Sequence, residues 1–330
     1  MIFCDYQEYQ VKEDFPSLDL HPSLFQYHHS LLIPFTPSKM SQEDLISFNR
    51  VTIVGPGLLG ASIAMSLKKK GIAGEIWVWL RNKQKKELCD KSEWCDRALV
   101  DLQDAVSDSD LVILCTPVEL ILDQLTTVSD WLKPGCIVTD VGSLKKGICQ
   151  RADEVFRDKQ IYFVGSHPMA GSEKTGMKYA SPSMLEKKNC IVTPTDKTNS
   201  KYLNKISRMW KMLEMKVTHK TPDLHDEIVG WISHLPHLIA SVLINTVGEK
   251  DPTWMDLSGN GLKDTTRIAS GNPTMWKEIL IGNRKNLNIS IDHLIENLND
   301  MKVALASEDS GKINKLLDSA KIKRDQLNDN

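Results

Sequence analysis

The clearest structural signal in this chain is VTIVGPGLLG, residues 51–60. The apolar, β-branched run VTIV is typical of a buried parallel strand. The pattern G-x-G-x-x-G follows it directly and leads into a helical segment, and this order predicts a pocket for the pyrophosphate of a dinucleotide. Glycine is also common in ordinary turns, so the pattern alone leaves a purely structural role open. The candidate cofactor contacts in this loop are Gly55, Gly57, Leu58, Leu59 and Gly60.

Several more short apolar runs follow, and they alternate with segments of helical character. The runs are IWVWL (76–80), LVILC (111–115), CIVTD (136–140), IYFVG (161–165) and NCIVT (189–193). The helical segments are Ser62–Lys70, Glu119–Val128, Lys145–Arg157 and Ser200–Leu213. Strands that alternate with helices predict an α/β fold with a Rossmann-type, doubly wound parallel sheet.

The pattern changes after about Thr221, where apolar residues recur at helical spacing and no run looks like a strand. The first residues of the chain show no sustained period, and Met40 is an alternative first residue. We therefore predict a poorly structured N-terminal extension at 1–48, a dinucleotide-binding domain at 49–220 and an all-helical domain at 221–330.

Composition argues against several classes of protein. The chain has 330 residues, with 41 Lys and Arg against 43 Asp and Glu. This balance lacks the basic excess of nucleic-acid binders, and no unbroken apolar run approaches the ~20 residues of a membrane helix. The seven cysteines form no CxxC pair, which argues against disulfides and a metal site. Acidic residues stand where a signal peptide would be basic, so we expect a cytoplasmic protein that binds neither nucleic acid nor membrane.

The end of the second predicted strand bears on the choice of dinucleotide. NAD enzymes place an acidic residue there to bind the ribose, but here Leu80 and Arg81 follow Trp79. Leucine accepts no hydrogen bond, whereas Arg81 can pair with a 2′-phosphate, so the sequence favours NADP over NAD. The alternative is that Arg81 is a solvated loop residue. Thr116 and Pro117, after the third predicted strand, complete the predicted cofactor contacts.

Polar residues follow two further strands. Ser143 lies in DVGSLK (140–145) and His167 lies in GSHPMAGSEKTG (165–176), each just past an apolar run. Ligands of open α/β sheets bind beyond the carboxyl ends of the strands, so we expect the two side chains to share one crevice. The near-neutral pKa of histidine suits acid–base catalysis, although a single histidine is more often an ordinary structural residue.

A set of long motifs in a fixed order points to one family. They are GPGLLG (55–60), DVGSLK (140–145), GSHPMAGSEKTG (165–176), HDEIVGWISHLPHLIA (225–240) and GLKDTTRIASGNPTMW (261–276). Together they closely resemble the prephenate/arogenate (cyclohexadienyl) dehydrogenases of tyrosine biosynthesis, over everything past the N-terminal extension. The resemblance implies an oxidative decarboxylation, in which a hydride passes to the nicotinamide and the ring carboxylate leaves as CO₂.

The resemblance assigns roles to the residues after the strands. His167 matches the catalytic histidine, which accepts the proton of the substrate hydroxyl. Ser143 matches the serine that hydrogen-bonds this hydroxyl and helps to hold the histidine and nicotinamide in register. Ser143 could equally be the N-cap of a helix that begins at Leu144.

The resemblance also implies a substrate-binding set. Arg267 matches the arginine that binds the substrate carboxylate, for which a planar guanidinium is well suited. Asp264 and Glu173 resemble the acids that form an ionic network with that arginine. One position departs from the family, because Leu262 and Lys263 stand where Phe-Arg is usual. If this neighbour helps to hold the substrate, affinity or substrate choice will differ from that of relatives.

SHLPH (233–237) contributes two further candidates. His237 matches a contact to the substrate side chain, and His234 would share its helix face at a spacing of three residues. Pro236 between them could kink the helix and leaves the orientation of His234 open. Trp276 matches a tryptophan at the edge of the site, although packing between helices is an equal alternative.

Three further expectations follow from the resemblance. Prephenate is the favoured substrate and arogenate the alternative. The helical domain joins two subunits, so we expect a homodimer, and no separate amino-acid-binding regulatory domain is expected. A phosphogluconate-type dehydrogenase with a lysine base and a non-catalytic nucleotide sensor are the competing functions, and the presence of Ser143, His167 and Arg267 argues against both.

Overall fold

The apolar runs of the first half form strands of one sheet in the structure, a computed structural model that describes residues 46–172 and 174–327. The strands are β1 (Phe48–Val54), β2 (Ala73–Trp79), β3 (Arg97–Leu99), β4 (Leu111–Leu114), β5 (Ile137–Asp140), β6 (Tyr162–Pro168), β7 (Asn189–Thr193) and β8 (Lys216–His219). Their order across the sheet is β3-β2-β1-β4-β5-β6-β7-β8, and β3 through β6 run parallel. The predicted doubly wound α/β sheet is confirmed. The predicted N-terminal extension lies outside the described residues, apart from 46–48.

The far edge of the sheet departs from the all-parallel prediction. β6 and β7 are antiparallel, while β7 and β8 run parallel to each other. The described part of the connection between β6 and β7 holds only a 3-10 turn, Met177–Tyr179. Without a crossover helix, the chain turns back at the edge where β6 ends. His167, near the end of β6, is therefore paired with Ile191 on a reversed strand.

Helices cover both faces of the sheet. They are α1 (Leu58–Lys69), α2 (Lys83–Asp90), α3 (Leu102–Val106), α4 (Val118–Val128), α5 (Lys146–Val155) and α6 (Ser200–Met212). Within β4, Leu111 and Ile113 pack in the apolar cluster that includes α1 and α6, while Val112 and Leu114 pack with α4 and α5. Because both faces are buried, β4 is apolar at all four positions rather than at every second one.

The described chain after β8 contains helices and no strand, as the sequence predicts. Its elements are α7 (Pro222–Val229), a π-helical turn (Gly230–His234), α8 (Leu235–Lys250), α9 (Asn260–Thr266), a 3-10 turn (Arg267–Ser270), α10 (Pro273–Gly282), α11 (Arg284–Ala306) and α12 (Ser310–Gln326). A further 3-10 turn, Pro252–Leu257, precedes α9. Helices α7 and α8 join through the π-helical turn into one long helical stretch.

This long stretch is unusually apolar. Pro222–Lys250 is long and apolar enough to cross a membrane by length and composition alone, with a mean hydropathy of 1.4 in its most apolar window. This stretch was not detected in the sequence, because only unbroken apolar runs were considered and polar residues interrupt this one. Only 28% of that window is buried within the chain. Exposed apolar side chains continue onto α11 and α12, at Ile289, Ile295, Leu298, Val303, Leu305, Leu317 and Ile322. Such a surface marks contact with another protein or with a membrane.

Candidate active site

The glycine loop between β1 and α1 is shaped for a phosphate group. Gly55 has a φ of 90°, in the left-handed region that glycine adopts without strain. A Cβ on Gly60 would lie 2.6 Å from the backbone oxygen of Gly55, so only glycine allows this close start of the helix. A Cβ on Gly57 would meet no atom within 4 Å, and no side chain caps the first turn of α1. The loop therefore fits a dinucleotide pyrophosphate, which backbone N–H groups can bind.

Two other predicted cofactor contacts lie beside this loop. A Cβ on Gly55 would lie 2.7 Å from Cγ2 of Thr116, which places Thr116 against the glycine turn. The Thr116 hydroxyl is 2.6 Å from Oε1 of Gln124, and Pro117 is the N-cap residue of α4. Leu58 and Leu59 form the first turn of α1 and are half-buried.

The end of β2 carries no acidic side chain. Trp79 is its last residue, and it is followed by a buried Leu80 and an exposed Arg81. Arg81 makes no ion pair with any residue that the structure describes. Its guanidinium is therefore available to a ligand beyond this strand.

His167 belongs to a chain of three buried side chains. Its Nδ1 lies 2.8 Å from Nε2 of His225, and Nδ1 of His225 lies 2.8 Å from Oδ1 of Asp226. His225 is fully buried, and His167 retains 8% exposure. Because Nδ1 of His167 is engaged by His225, Nε2 is the ring nitrogen left for a substrate.

Asp226 ties α7 to the start of α5. Its carboxylate accepts hydrogen bonds from the backbone N–H groups of Lys145, at 2.8 Å, and of Lys146, at 3.1 Å. The side chain of Lys145 is fully buried, forms an ion pair with Asp140 and donates to the backbone oxygen of Ser166 at 3.1 Å. Charged hydrogen bonds thus connect α7, the start of α5 and the ends of β5 and β6 around His167.

Ser143 lies in the loop between β5 and α5. α5 begins at Lys146, and Lys145 is its N-cap residue. The alternative role of Ser143 as the N-cap of a helix beginning at Leu144 is therefore wrong, because the Asp226 carboxylate binds the first N–H groups instead. Ser143 is half-buried, and its hydroxyl has no hydrogen-bond partner among the residues described. It remains free to bind a ligand.

His234 and His237 both contact Trp276. The ring of His237 stacks on Trp276, with 3.5 Å between centroids and 7° between planes. His234 meets the edge of the same indole at 6.1 Å. The two rings thus share one helix face, as their spacing predicts, and Nδ1 of His237 is buried without a hydrogen-bond partner.

The π-helical turn brings His225 toward the same side as His234. In an uninterrupted α-helix, nine positions correspond to about 180° around the axis, which would put the two residues on opposite faces. One extra residue in the turn reduces this angle to about 80°. The orientation of His234, which the sequence left open because of Pro236, is therefore set by this turn. The turn ends at His234, two residues before the proline.

Asn283 holds the π-helical turn in place from the junction of α10 and α11. Its Nδ2 donates to the backbone oxygen of Asp226 at 2.7 Å and faces Nδ1 of His234 at 3.0 Å. The approach is close, because a Cβ on Gly230 would lie 3.3 Å from this Nδ2. His234 therefore accepts at Nδ1 and carries its proton on Nε2.

Burial lowers the pKa of all four histidines in this region. Loss of hydration is the main cause for each, and it brings the pKa of His234 to about 4 and lowers that of His237. The nearby His225, Lys145 and His234 add to the effect at His167, whose pKa falls well below its usual value. Burial also lowers the pKa of His225, against the opposing effect of Asp226. The four rings are neutral at pH 7, so each has a nitrogen that can accept a proton.

The 3-10 turn that begins with Arg267 packs against α8. It ends beside Gly271, where a Cβ would lie 2.5 Å from Nε1 of Trp276 and 3.2 Å from Cε1 of His237. This tight contact places the Arg267 turn next to the stacked His237–Trp276 pair. Asp264 lies one helical turn earlier, and its side chain is exposed, as is that of Arg267. Glu173 lies outside the described residues, so its network with Arg267 stays a prediction.

The polar groups of the first half lie at the edge of the sheet formed by the carboxyl ends of its parallel strands. The glycine loop follows β1, Ser143 follows β5 and His167 is the second-last residue of β6. β1 and β6 are three strand spacings apart, about 14 Å. The described residues contain no group of three or more His, Cys, Asp or Glu placed to hold a metal ion. This edge can therefore bind an extended dinucleotide from the glycine loop toward a neutral, proton-accepting histidine.

Two family models cover most of the chain. Residues 63–219 match the nucleotide-binding domain of prephenate dehydrogenase, and residues 221–319 match its dimerization domain. The chain belongs to the prephenate dehydrogenase family.

Individual relatives agree with the family. A prephenate dehydrogenase from Bacillus subtilis is 30% identical over 282 residues, which are 84% of this chain and 76% of that protein. The crystal structure of prephenate dehydrogenase from A. aeolicus, in complex with hydroxyphenyl propionate and NAD+, has a TM-score of 0.80 and 32% identity, and covers 86% of this chain and 99% of its own. Synechocystis arogenate dehydrogenase has a TM-score of 0.73 and 29% identity, with 84% and 99% covered.

Within this prephenate dehydrogenase fold, sequence reasoning missed several side chains of the site. His225 and Asp226 stand inside a quoted motif but were given no role, and neither were Lys145 and Asn283. Their partners are far away in sequence, so no local spacing marks them. The one available signal was a pair of titratable residues next to each other at the start of an apolar helix.

Proposed function

We propose that the protein is an NAD(P)-dependent prephenate dehydrogenase, an oxidoreductase that forms 4-hydroxyphenylpyruvate and CO₂ from prephenate in tyrosine biosynthesis. The observation that carries this proposal is a buried, neutral His167 at the sheet edge that also bears the glycine loop, with its Nε2 unengaged by His225. The family membership supports the same activity.

The site residues suit this chemistry. When bound, the nicotinamide accepts the hydride from the ring carbon that bears the hydroxyl. Nε2 of His167 takes the proton as the hydroxyl O–H bond breaks and the carbonyl forms. The electron pair of the broken carbon–carboxylate bond then enters the ring, and His167 returns its proton to the phenolic oxygen. The reaction releases no net proton, so the protein mainly orients the reactants and moves one proton within the site.

The helical half supplies the proposed substrate contacts. Arg267 binds a substrate carboxylate, with Asp264 and Glu173 in the same ionic network. His237 contacts the substrate side chain and is held by its stack on Trp276. Ser143 binds the substrate hydroxyl, and His234 borders the pocket beside Trp276.

Arogenate is the alternative substrate. It differs from prephenate in carrying an ammonium group on the side chain, and one acidic side chain facing that group would favour it. The SHLPH (233–237) and DTTR (264–267) runs resemble those of the bacterial family members that accept prephenate, which favours prephenate, whereas the similarity to an arogenate dehydrogenase favours the alternative. Lys263, in place of the usual arginine, is a further position at which substrate choice would be set.

NADP is the favoured cofactor. The exposed Arg81 follows β2 with no acidic residue beside it, which suits a 2′-phosphate and leaves the ribose of NAD without its usual acceptor. The A. aeolicus relative was crystallised with NAD+, so NAD remains the alternative.

A two-by-two assay tests these assignments, with prephenate or arogenate against NAD or NADP and absorbance at 340 nm as the readout. We expect turnover of prephenate with NADP. Arg81→Ala should raise the KM for NADP by roughly 10- to 100-fold and leave that for NAD unchanged, since one charged hydrogen bond contributes about 1.5–3 kcal/mol. Equal effects on both cofactors would remove Arg81 from the 2′-phosphate site, and silence in all four combinations would refute the activity.

We also propose a homodimer, joined through residues 221–330. The exposed apolar faces of α8, α11 and α12 support it, as does the match to a dimerization domain. A partner subunit on these faces accounts for the long apolar helix without a membrane, so we propose a cytoplasmic enzyme. Light scattering during size-exclusion chromatography should give twice the chain mass of 37.2 kDa. A mass of one chain at assay concentrations would contradict the dimer.

A further inference from the structure

We propose that His225 and Asp226 are positioning residues, which hold His167 in the tautomer that carries its proton on Nδ1. This inference rests on the proposed role of His167 as the base. It assigns the two residues a part in the reaction, although neither one touches the substrate.

The positions of the protons follow from the donors and acceptors in the chain. The Asp226 carboxylate can only accept, so Nδ1 of His225, 2.8 Å away, carries a proton. A neutral imidazole has one proton, so Nε2 of His225 must accept. Nδ1 of His167, 2.8 Å from that atom, must therefore donate. The only lone pair left on the His167 ring is at Nε2.

The surroundings keep this arrangement in one state. Asp226 accepts two further hydrogen bonds, from the backbone N–H groups of Lys145 and Lys146, and these stabilise the ionised carboxylate. Burial lowers the pKa of both His225 and His167, and the positive charge of Lys145 acts in the same direction on both rings. Both imidazoles therefore stay neutral at pH 7.

His225 and Asp226 also have a role while the substrate proton is on His167. When the substrate O–H bond breaks and the Nε2–H bond forms, His167 becomes an imidazolium. Its Nδ1–H still points at His225, and the negative charge of Asp226 lies one imidazole ring further on. This charge stabilises the imidazolium until the proton returns to the phenolic oxygen. Without His225, the other tautomer would present an N–H to the substrate hydroxyl and could not accept its proton.

His225→Phe is the direct test, because it removes the acceptor for His167 and leaves Asp226 bound to the N-terminus of α5. We expect kcat to fall on the order of 10²-fold, with both KM values within about 3-fold of wild type. His225→Gln should recover part of kcat, since its amide offers an acceptor toward His167 and a donor toward Asp226. His219→Phe is the matched control, on the exposed edge strand β8, and should leave kcat unchanged.

A structural role for His225 predicts different results. Loss of packing alone would lower the melting temperature or raise KM, and Gln would not restore kcat better than Phe. A wild-type kcat in His225→Phe would overturn the proposal.

A second measurement needs neither turnover nor a folded variant of His225. Solid-state ¹⁵N NMR of the histidine-labelled wild-type protein reports the protonation of each ring nitrogen, and the His167 signals are those lost in His167→Asn. We expect a protonated Nδ1 and an unprotonated Nε2 at pH 7.5. A protonated Nε2 in an enzyme that turns over prephenate would overturn the positioning role alone. Silence in the two-by-two assay together with the expected tautomer would refute the proposed function and leave the tautomer assignment standing.

Discussion

His167→Asn should lower kcat by about 10³-fold and leave cofactor affinity close to that of the wild type. The amide of asparagine cannot accept the hydroxyl proton, so the proton-transfer step loses its base. The glycine loop lies about 14 Å away at the other side of the crevice, three strand spacings along the sheet. Initial rates at 340 nm give kcat, and a titration of tryptophan fluorescence gives the cofactor Kd.

His219→Asn is the matched control for this variant. His219 lies at the end of β8, two strands from β6, is exposed and bonds the Ser207 hydroxyl at 2.8 Å. It should keep wild-type rates. Retention of most of kcat in His167→Asn would show that another group accepts the proton.

The pH profile of kcat/KM provides a second check on the same residue. Burial holds the pKa of His167 well below its model-peptide value of 6.5, so the ring stays unprotonated at pH 6.5 and above. The acid limb of the wild-type profile should therefore lie below pH 6.5, with activity lost as the pH falls through the lowered pKa. The residual activity of His167→Asn should lack this limb. An acid limb at or above pH 6.5 would assign it to a group other than His167.

The sheet was predictable from the sequence because its central strands are buried on both faces. Continuous apolar runs such as LVILC have no other common explanation between turns and helices. β3 and β8 escaped detection because they are short and partly exposed, with one buried residue in β3 and none in β8. The reversed direction of β7 was missed because an apolar run carries no information about which neighbour it pairs with.

The residues of the candidate site also fall into a group that the sequence predicts and a group that it does not. Gly57, Ser143 and His167 were predictable because topology places the residues after parallel strands at one edge. His225 and Asp226 were not, because their contacts depend on how the helical half packs against that edge. The π-helical turn that orients His225 relative to His234 leaves no mark in a pattern of regular helical spacing.

The buried ion pair behind His167 supports the second large prediction, which concerns stability. Lys145 and Asp140 are both fully buried, so removing one charge leaves the other without its partner in a medium of low polarity. Lys145→Met should lower the free energy of unfolding by about 3–5 kcal/mol and the melting temperature by roughly 10 °C. Scanning calorimetry measures both. The protein concentration is kept the same for all variants, because the stability of the proposed dimer would depend on it.

A double variant separates the value of the pair from the cost of an uncompensated charge. In Lys145→Met with Asp140→Asn, both charges are absent, and the Asn oxygen can still accept the hydrogen bond that Asp140 receives from Gly142 at 2.8 Å. The Asn NH₂ group replaces the oxygen that accepts from the Ser166 N–H at 3.2 Å, so that hydrogen bond is lost. We expect this variant to recover part of the lost stability, since replacing a whole buried pair is often neutral. Lys159→Met breaks the exposed pair with Asp130 and should cost less than about 1 kcal/mol. If Lys145→Met cost as little as this surface control, the buried pair would be too weakly coupled to hold β5 against α5, and the support of His167 would have to come from Asp226 alone.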